Sequence, residues 1–271
     1  MPYKVIVSDL DWTLLNDEHK ISDYTKNIIK TLIEKGVKFI IATGRHHEDA
    51  MCFKEQLGAD SYLISGNGSK VHDKNNREII SHNISKELTA KLLDIKVSDN
   101  VIRGIYQGDD WFTEKLIPDF DEYHTESGFR PKIINFDNLK GQEIAKIFYI
   151  TENNEKKLEI YNIKNKLEKT SFAKNYLNIT ASLDNCVEIM DKKATKGKAL
   201  KEVLDKEGIK LSEAIAFGDG LNDMEMLSIV GKGIIMGNGS DELKKMLPML
   251  EVIGTSSEDA EAHYLQKIFN I

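Results

Sequence analysis

The stretch Val5-Ile6-Val7-Ser8-Asp9-Leu10-Asp11-Trp12-Thr13-Leu14-Leu15 decides how the rest of the chain is read. Val5 to Val7 form a short apolar run with polar neighbours, the pattern of a strand buried on both faces in a parallel sheet. Asp9 and Asp11 follow at its carboxyl end. In open α/β sheets ligands bind at the carboxyl ends of strands, where loops from neighbouring strands meet. Side chains at i and i+2 of an extended segment point the same way, so both carboxylates can face one ligand. Taken alone, the pair also fits a solvated surface turn. What decides between the two is what else the chain brings to that edge.

The chain has 271 residues. At roughly 150 residues per domain, that length suits two domains or one core with a large insert. Hydrophobic residues make up 41% and charged residues 30%, ordinary for a soluble globular protein, and no run approaches the ~18 apolar residues of a membrane span. The start, Met1-Pro2-Tyr3-Lys4, has no signal-peptide pattern, so a cytoplasmic location is expected. Cys52 and Cys186 stand far apart without metal-ligand spacing and are expected to be reduced thiols. The net charge of -7 argues against a nucleic-acid partner, since phosphate backbones demand clustered Lys and Arg. It leaves a small anionic substrate open, because local cations decide that. No membrane partner is expected, and a monomer or small homo-oligomer is.

In chain order, Ser22 suits an N-cap for a helix carrying Ile28, Ile29, Leu32 and Ile33 on one face, with Gly36 as its stop. Val37 to Ala42 reads as a second buried strand ending at Thr43-Gly44-Arg45, followed by a helix from about His46 to Leu57. A third strand, Tyr62 to Ile64, ends at Ser65-Gly66-Asn67-Gly68-Ser69. These three strand–loop–helix-like passes predict a parallel sheet with helical crossovers. From about residue 78 the texture changes to short strands around turns such as Gly108-Asp109-Asp110, with segregated helices at Ser85 to Lys96 and about Glu155 to Leu167. That predicts an α+β insert with an antiparallel sheet. The doubly wound texture then resumes: a helix from Thr195 to Glu207, a buried strand Ala214 to Phe217 running into Gly218-Asp219-Gly220-Leu221-Asn222-Asp223, then alternating short helices and strands to Phe269. The expected division is 1–81 core, 82–190 insert and 191–271 core, an α/β fold with a Rossmann-like doubly wound sheet.

Polar clusters therefore gather at or beside one sheet edge: Asp9/Asp11/Thr13, Thr43/Gly44, Lys196 and Asp219/Asn222/Asp223. Carboxylates without Cys or His suit a hard cation, and magnesium takes one or two carboxylates, waters and a phosphate oxygen. A hydroxyl, backbone amides and a lysine are what a phosphoryl group needs to have its charge spread. The inventory suits phosphoryl transfer, one carboxylate acting as nucleophile and the other carrying protons.

D-L-D-W-T, the T-G-R after the second strand, Lys196 in T-K-G-K-A-L, and G-D-G-L-N-D resemble the four ordered motifs of the haloacid dehalogenase superfamily. The insert between the second and third motifs, with G-N-G-S, M-G-N-G and S-S-E-D-A, is similar to the Cof-type sugar-phosphatase branch, subfamily IIB. The resemblance implies a magnesium-dependent phosphatase for small phosphorylated metabolites, above all sugar phosphates, with the insert as a cap. It implies Asp9 as the nucleophile that becomes an aspartyl phosphate, and Asp11 as general acid and base. It places magnesium on the Asp9 carboxylate, the Asp11 carbonyl and Asp219. It places the phosphoryl oxygens on Thr43, the Gly44 and Leu10 amides, Lys196 and Asn222, with Asp223 ordering metal-bound water or Lys196. Related enzymes include phosphomutase-like phosphotransferases. A non-catalytic phospho-accepting or sugar-phosphate-sensing module also uses paired Asp, Thr and Lys, at about half this length and without G-D-G-x-N-D.

Simpler readings stand beside these. Thr43 and Asn222 can cap the helices after them; without the family frame, Lys192, Lys193 and Lys198 equal Lys196. Arg45 reads either as a substrate contact or as a surface salt bridge, and His46 and His47 as exposed helix-start residues. Asn67 either caps its loop or lines the cleft. Gly231-Lys232-Gly233 with Gly237 misses the dinucleotide spacing, so turn chemistry explains it. Gly108 to Trp111 and Asp184-Asn185 are candidate insert contacts or plain turns. Trp12 departs from the glycine common in the family, and its ring either narrows the cleft, packs under the insert or enters the core with its N–H paired.

Overall fold

The computed structural model describes residues 2–58, 62–117, 124–151, 157–183 and 185–271. The chain divides into two compact units, Met1–Ile80 with Thr195–Ile271, and Ser81–Ala194. The first unit opens with β1 (Val5–Ser8), α1 (Asp23–Glu34), β2 (Lys38–Ala42), α2 (His47–Leu57), β3 (Leu63–Ser65), β4 (Lys70–His72) and β5 (Glu78–Ser81). The insert holds α3 (Lys86–Leu93), β6 (Val101–Gln107), β7 (Asp110–Thr113), β8 (Lys132–Ile133), β9 (Lys146–Thr151), α4 (Lys157–Glu168), α5 (Ser171–Tyr176), β10 (Leu177–Leu183) and β11 (Cys186–Asp191). The first unit resumes with α6 (Lys196–Glu207), β12 (Ala214–Gly218), α7 (Met224–Ile229), β13 (Lys232–Ile235), α8 (Asp241–Met246), β14 (Glu251–Val252) and α9 (Ala260–Phe269).

The core sheet has the order β14-β13-β12-β1-β2-β3-β4-β5. Its pairs are parallel from β14 through β3. Alternation along each strand sends side chains into two separate helical layers. Ile6, Phe39, Ile41, Ile215, Phe217 and Ile234 pack with residues of α1, α2 and α9. Val5, Val7, Ile40, Ala42, Ala214, Ala216 and Ile235 pack with residues of α6, α7 and α8. Covered on both faces, these strands read as continuous apolar runs, each fully buried aliphatic side chain contributing about 1.5–3 kcal/mol. The helices end where the sequence says they should. Ser22 Oγ accepts the Thr25 N–H and Gly36 takes φ 87° just past the end of α1, while Gly58 and Gly208 close α2 and α6 in left-handed conformation.

From β1 the chain adds strands first on one side, β2 and β3, and after the insert on the other, β12 to β14. That reversal makes the carboxyl end of β1 the topological switch point, where doubly wound folds bind ligands. In register, Ser8 stands beside Phe217 and Ile41, which brings Asp9, Thr43 and Asp219 to one edge.

Three expectations are corrected. The third pass is not a helical crossover: β3 turns tightly through Gly66–Gly68 into antiparallel β4, because three left-handed residues reverse the chain within one turn. Two short elements, β8 and α5, went unforeseen; the two-residue β8 is exposed throughout and carries no apolar pattern. The second junction falls after Ala194 rather than near 190. There β11 runs on to Asp191, whose carbonyl accepts the Ala194 N–H at 2.9 Å, and the core restarts at Thr195, the cap of α6.

The insert sheet has the order β10-β11-β9-β6-β7-β8, antiparallel except for β7–β8. One face packs with α3, α4 and α5 around Ile105, Ile147, Tyr149, Val187 and Ile189. The other carries Tyr106, edge-on to both Trp111 and Phe148, which tilt against each other. Trp111 is thus a packing residue after the Gly108 turn, and Asn185 donates to the Thr151 carbonyl at 3.0 Å as a turn residue. Asp184 and the expected helix start at Glu155 lie outside the described residues. Among the described residues no helix is long and apolar enough to cross a membrane.

Candidate active site

Asp9 leaves the end of β1 with its N–H on the Phe217 carbonyl at 3.1 Å, which fixes it beside the β12 loop. Lys196, the first residue of α6, is fully buried and donates to Asp9 Oδ1 at 2.7 Å and Asp223 Oδ1 at 2.6 Å. The other oxygen of Asp223 accepts the backbone N–H groups of Asp219 at 3.0 Å and Gly220 at 2.9 Å. Asp223 therefore shapes the loop and holds Lys196 together. Thr13 Oγ1 donates to Asp219 Oδ1 at 3.0 Å, a bond across 206 positions that the sequence did not reveal.

Carboxylate oxygens of Asp9, Asp219 and Asp223 all lie within 4.8 Å of one another. Burial, with the Asp223 charge next, raises Asp9 well above the usual carboxylate range even though Lys196 works against it. Burial and Asp223 likewise push Asp219 up to about 7. Burial alone would lower Lys196, but Asp223 and Asp9 reverse this and leave it raised, so it stays charged. One lysine cannot neutralise the buried carboxylates of Asp9 and Asp223 and the half-buried one of Asp219, and the surplus negative charge fits an oxygen-seeking divalent cation. With Asp223 engaged on both oxygens, Asp9 and Asp219 are the carboxylates left to hold it.

Asp11 is one-third exposed and gripped by Arg45: Nε lies 2.9 Å from Oδ2 and Nη2 lies 2.5 Å from Oδ1. Arg45 also donates to Asp49 at 3.1 Å, and its guanidinium lies 5.5 Å from the Phe53 ring centroid. Burial would lower its pKa; Asp11 and Asp49 more than reverse that and raise it. The surface-salt-bridge reading of Arg45 is thereby corrected, since the side chain is only 7% exposed.

Thr43 is buried and its Oγ1 accepts the Arg45 N–H at 3.0 Å. It does not cap α2; His46 does, through Nδ1 and the Glu48 N–H. Asn222 does not cap α7 either: Asp223 holds the N-cap position, and Asn222 Nδ2 donates to Asn67 Oδ1 at 3.0 Å. The Leu10 side chain is buried in the core, so only its backbone can serve a ligand. Gly44 lies close against Asn67: a Cβ there would stand 3.1 Å from Asn67 Oδ1, a tight contact. Lys198, Lys192 and Lys193 are exposed, which separates them from Lys196.

His46 and His47 are corrected outright: both are buried, and they form a ring stack with His72, the centroids 4.3 Å apart at each step. Burial, with His47 next, lowers His72 to about 4. Residue type and a place at a helix start assigned these rings to solvent, because their partner, His72, lies on β4, a strand the sequence reading did not anticipate. Trp12 takes φ 58°, is half-buried with its ring edge-on to His19 at 5.6 Å, and its carbonyl accepts Asn238 Nδ2 at 2.6 Å. Beneath the loop, Ser8 Oγ lies 2.7 Å from both the Asp9 carbonyl and Glu261 Oε2. Glu261 was not foreseen, since a lone acid in a helix carries no signal of burial.

A profile of haloacid dehalogenase-like hydrolases matches residues 6–265. A Haemophilus influenzae protein named "Putative phosphatase" is 36% identical over 276 residues, covering 100% of this chain and 98% of that one. An HMP-PP phosphatase of Yersinia pseudotuberculosis is 33% identical, covering 97% of this chain and 94% of its own. Among solved structures, the HAD subclass IIB sugar phosphatase BT4131 has a TM-score of 0.83 at 21% identity, covering 99% of this chain and 100% of that chain, a likeness of fold.

Proposed function

The chain belongs to the haloacid dehalogenase-like hydrolase family and is a phosphatase, and on that premise we propose a magnesium-dependent hydrolase of small phosphorylated metabolites, sugar phosphates foremost, working through an aspartyl phosphate. The observation that carries this reading is the buried Asp9–Lys196–Asp223 array with Asp219 beside it at the switch point.

In this account an Asp9 oxygen attacks phosphorus, the ester oxygen leaves, and Asp11 gives that oxygen its proton. Asp11 then takes a proton from water, which attacks the aspartyl phosphate and frees phosphate and the Asp9 carboxylate. Lys196, Thr43, Asn222 and the Leu10 and Gly44 amides hold the phosphoryl oxygens. Magnesium, held by Asp9, Asp219 and the Asp11 carbonyl, would supply charge neutralisation for those oxygens. Arg45 aims the Asp11 carboxylate, and their two-pronged pair must loosen for Asp11 to carry a proton and re-forms once that proton is given up. The insert acts as the cap that selects the leaving group, in a cytoplasmic enzyme with no nucleic-acid or membrane partner.

The test is phosphate release with magnesium over a library of phosphorylated metabolites that includes hexose phosphates and HMP-PP. Release from sugar phosphates, lost in Asp9→Asn, is expected. Interconversion of sugar-phosphate isomers without release would favour a phosphotransferase instead, and tight binding without turnover a sensor.

A further inference from the structure

Gly66, Asn67 and Gly68 take φ of 54°, 56° and 93° in succession. Glycine occupies that left-handed region without cost, and asparagine tolerates it better than most residues. This turn is tied to the loop after β2: the Gly66 N–H donates to the Arg45 carbonyl at 2.8 Å and the Asn67 N–H to the Thr43 carbonyl at 2.9 Å. Its far end abuts the lysine helix, since a Cβ on Gly68 would lie 2.3 Å from the carbonyl oxygen of Thr195, the residue capping α6. The Asn67 side chain, 2% exposed, points to the third partner and accepts Asn222 Nδ2 at 3.0 Å. The same Oδ1 is the atom a Cβ on Gly44 would meet.

One turn thus touches the loop of Thr43 and Gly44, the helix of Lys196 and the side chain of Asn222. A primary amide nitrogen carries two hydrogens and can flip. An acceptor fixed at Asn67 takes one hydrogen, sets which end of the Asn222 amide is nitrogen, and leaves the second hydrogen to donate.

We propose that Asn67 is a positioning residue for phosphoryl transfer: it orients the Asn222 amide and spaces the Thr43-Gly44 loop from it, without itself touching phosphorus. The proposal rests on the reading above, in which Asn222 and Gly44 hold the phosphoryl oxygens.

The test is a double-mutant cycle on the full chain with magnesium, using p-nitrophenyl phosphate as substrate and inorganic phosphate as competitive inhibitor. Asn67→Gly keeps the left-handed backbone and removes only the amide. It is expected to lower kcat/KM roughly 10–100-fold and weaken phosphate inhibition by a similar factor while the melting temperature holds. In an Asn222→Ala background the same substitution should cost less than about threefold, because its effect passes through Asn222. Wild-type kcat/KM and phosphate inhibition in Asn67→Gly, effects that multiply independently in the double variant, or a fall in melting temperature with phosphate inhibition unmoved would each overturn it. Asp9→Asn runs alongside. Wild-type turnover there would overturn the underlying reading of the site, whereas an inactive Asp9→Asn beside an unaffected Asn67→Gly overturns the Asn67 proposal alone.

Discussion

Lys196 has no exposed surface and serves two carboxylates, so its removal leaves Asp9 and Asp223 buried without their cation. Lys196→Met should abolish turnover and cost roughly 3–5 kcal/mol of stability, the penalty for stranding buried charge; a urea titration checks the second figure. Glu261 makes the opposite case, a buried acid with no cation. Burial pushes it up to about 8 from 4.5, against a smaller pull from Ser8, and its Oε1 has no hydrogen-bond partner. A carboxyl raised in the folded state contributes stability that is whole below the unfolded value of 4.5 and lost as pH rises to about 8. Glu261→Gln should therefore match the wild type in thermal melts at acid pH and gain on it steadily up to about pH 8. At this scale the sequence named residues that the structure brings to one edge, but not their pairings. Asp9, Asp219 and Lys196 were legible because residue type and order specify them. Arg45 on Asp11, Thr13 on Asp219 and Glu261 under Ser8 were not, since each joins positions far apart in the chain with no local pattern to mark the contact.

At the scale of elements, buried strands were the readable feature. The strands Val5–Ser8, Lys38–Ala42 and Ala214–Gly218 each lie between two helical layers, so Val5 to Val7, Phe39 to Ala42 and Ala214 to Phe217 show as unbroken apolar runs. Helix starts were legible where Ser or Thr supplies the cap, as at Ser22, Ser85 and Thr195. The failure came at Gly66-Asn67-Gly68, where turn chemistry resembled the loop before a helix. Gly68→Ala would meet both a φ of 93° and the Thr195 carbonyl oxygen at 2.3 Å. The backbone must move, and with it the cap of α6 and the lysine at its start. The substitution is expected to lower stability by at least about 2 kcal/mol and to reduce turnover as well; urea unfolding and a kcat measurement on the same preparation check both.

For the whole molecule, the division into a two-part core and an insert was legible because the apolar texture changes and then returns. The junctions were not, since β11 runs on past Met190 with nothing in the sequence to mark where the core resumes. The same two-part core explains why the site needs both ends of the chain: β1 supplies Asp9 and Asp11, and the segment after the insert supplies Lys196, Asp219 and Asp223. Surplus negative charge at that junction should make the fold responsive to its cation. Saturating magnesium is expected to raise stability by about 2.7 kcal/mol at a hundredfold excess over Kd, while a chelator abolishes turnover and reverses the gain in melting temperature. The central claim, that the phosphoryl group passes through Asp9, is tested most directly by acid-quenching the enzyme during turnover of a phosphate ester labelled in its phosphoryl group. The account predicts label bound covalently at Asp9 and none in Asp9→Asn, which should also lose turnover by about 10⁴-fold or more. Steady turnover with no labelled protein, or wild-type turnover in Asp9→Asn, would contradict it.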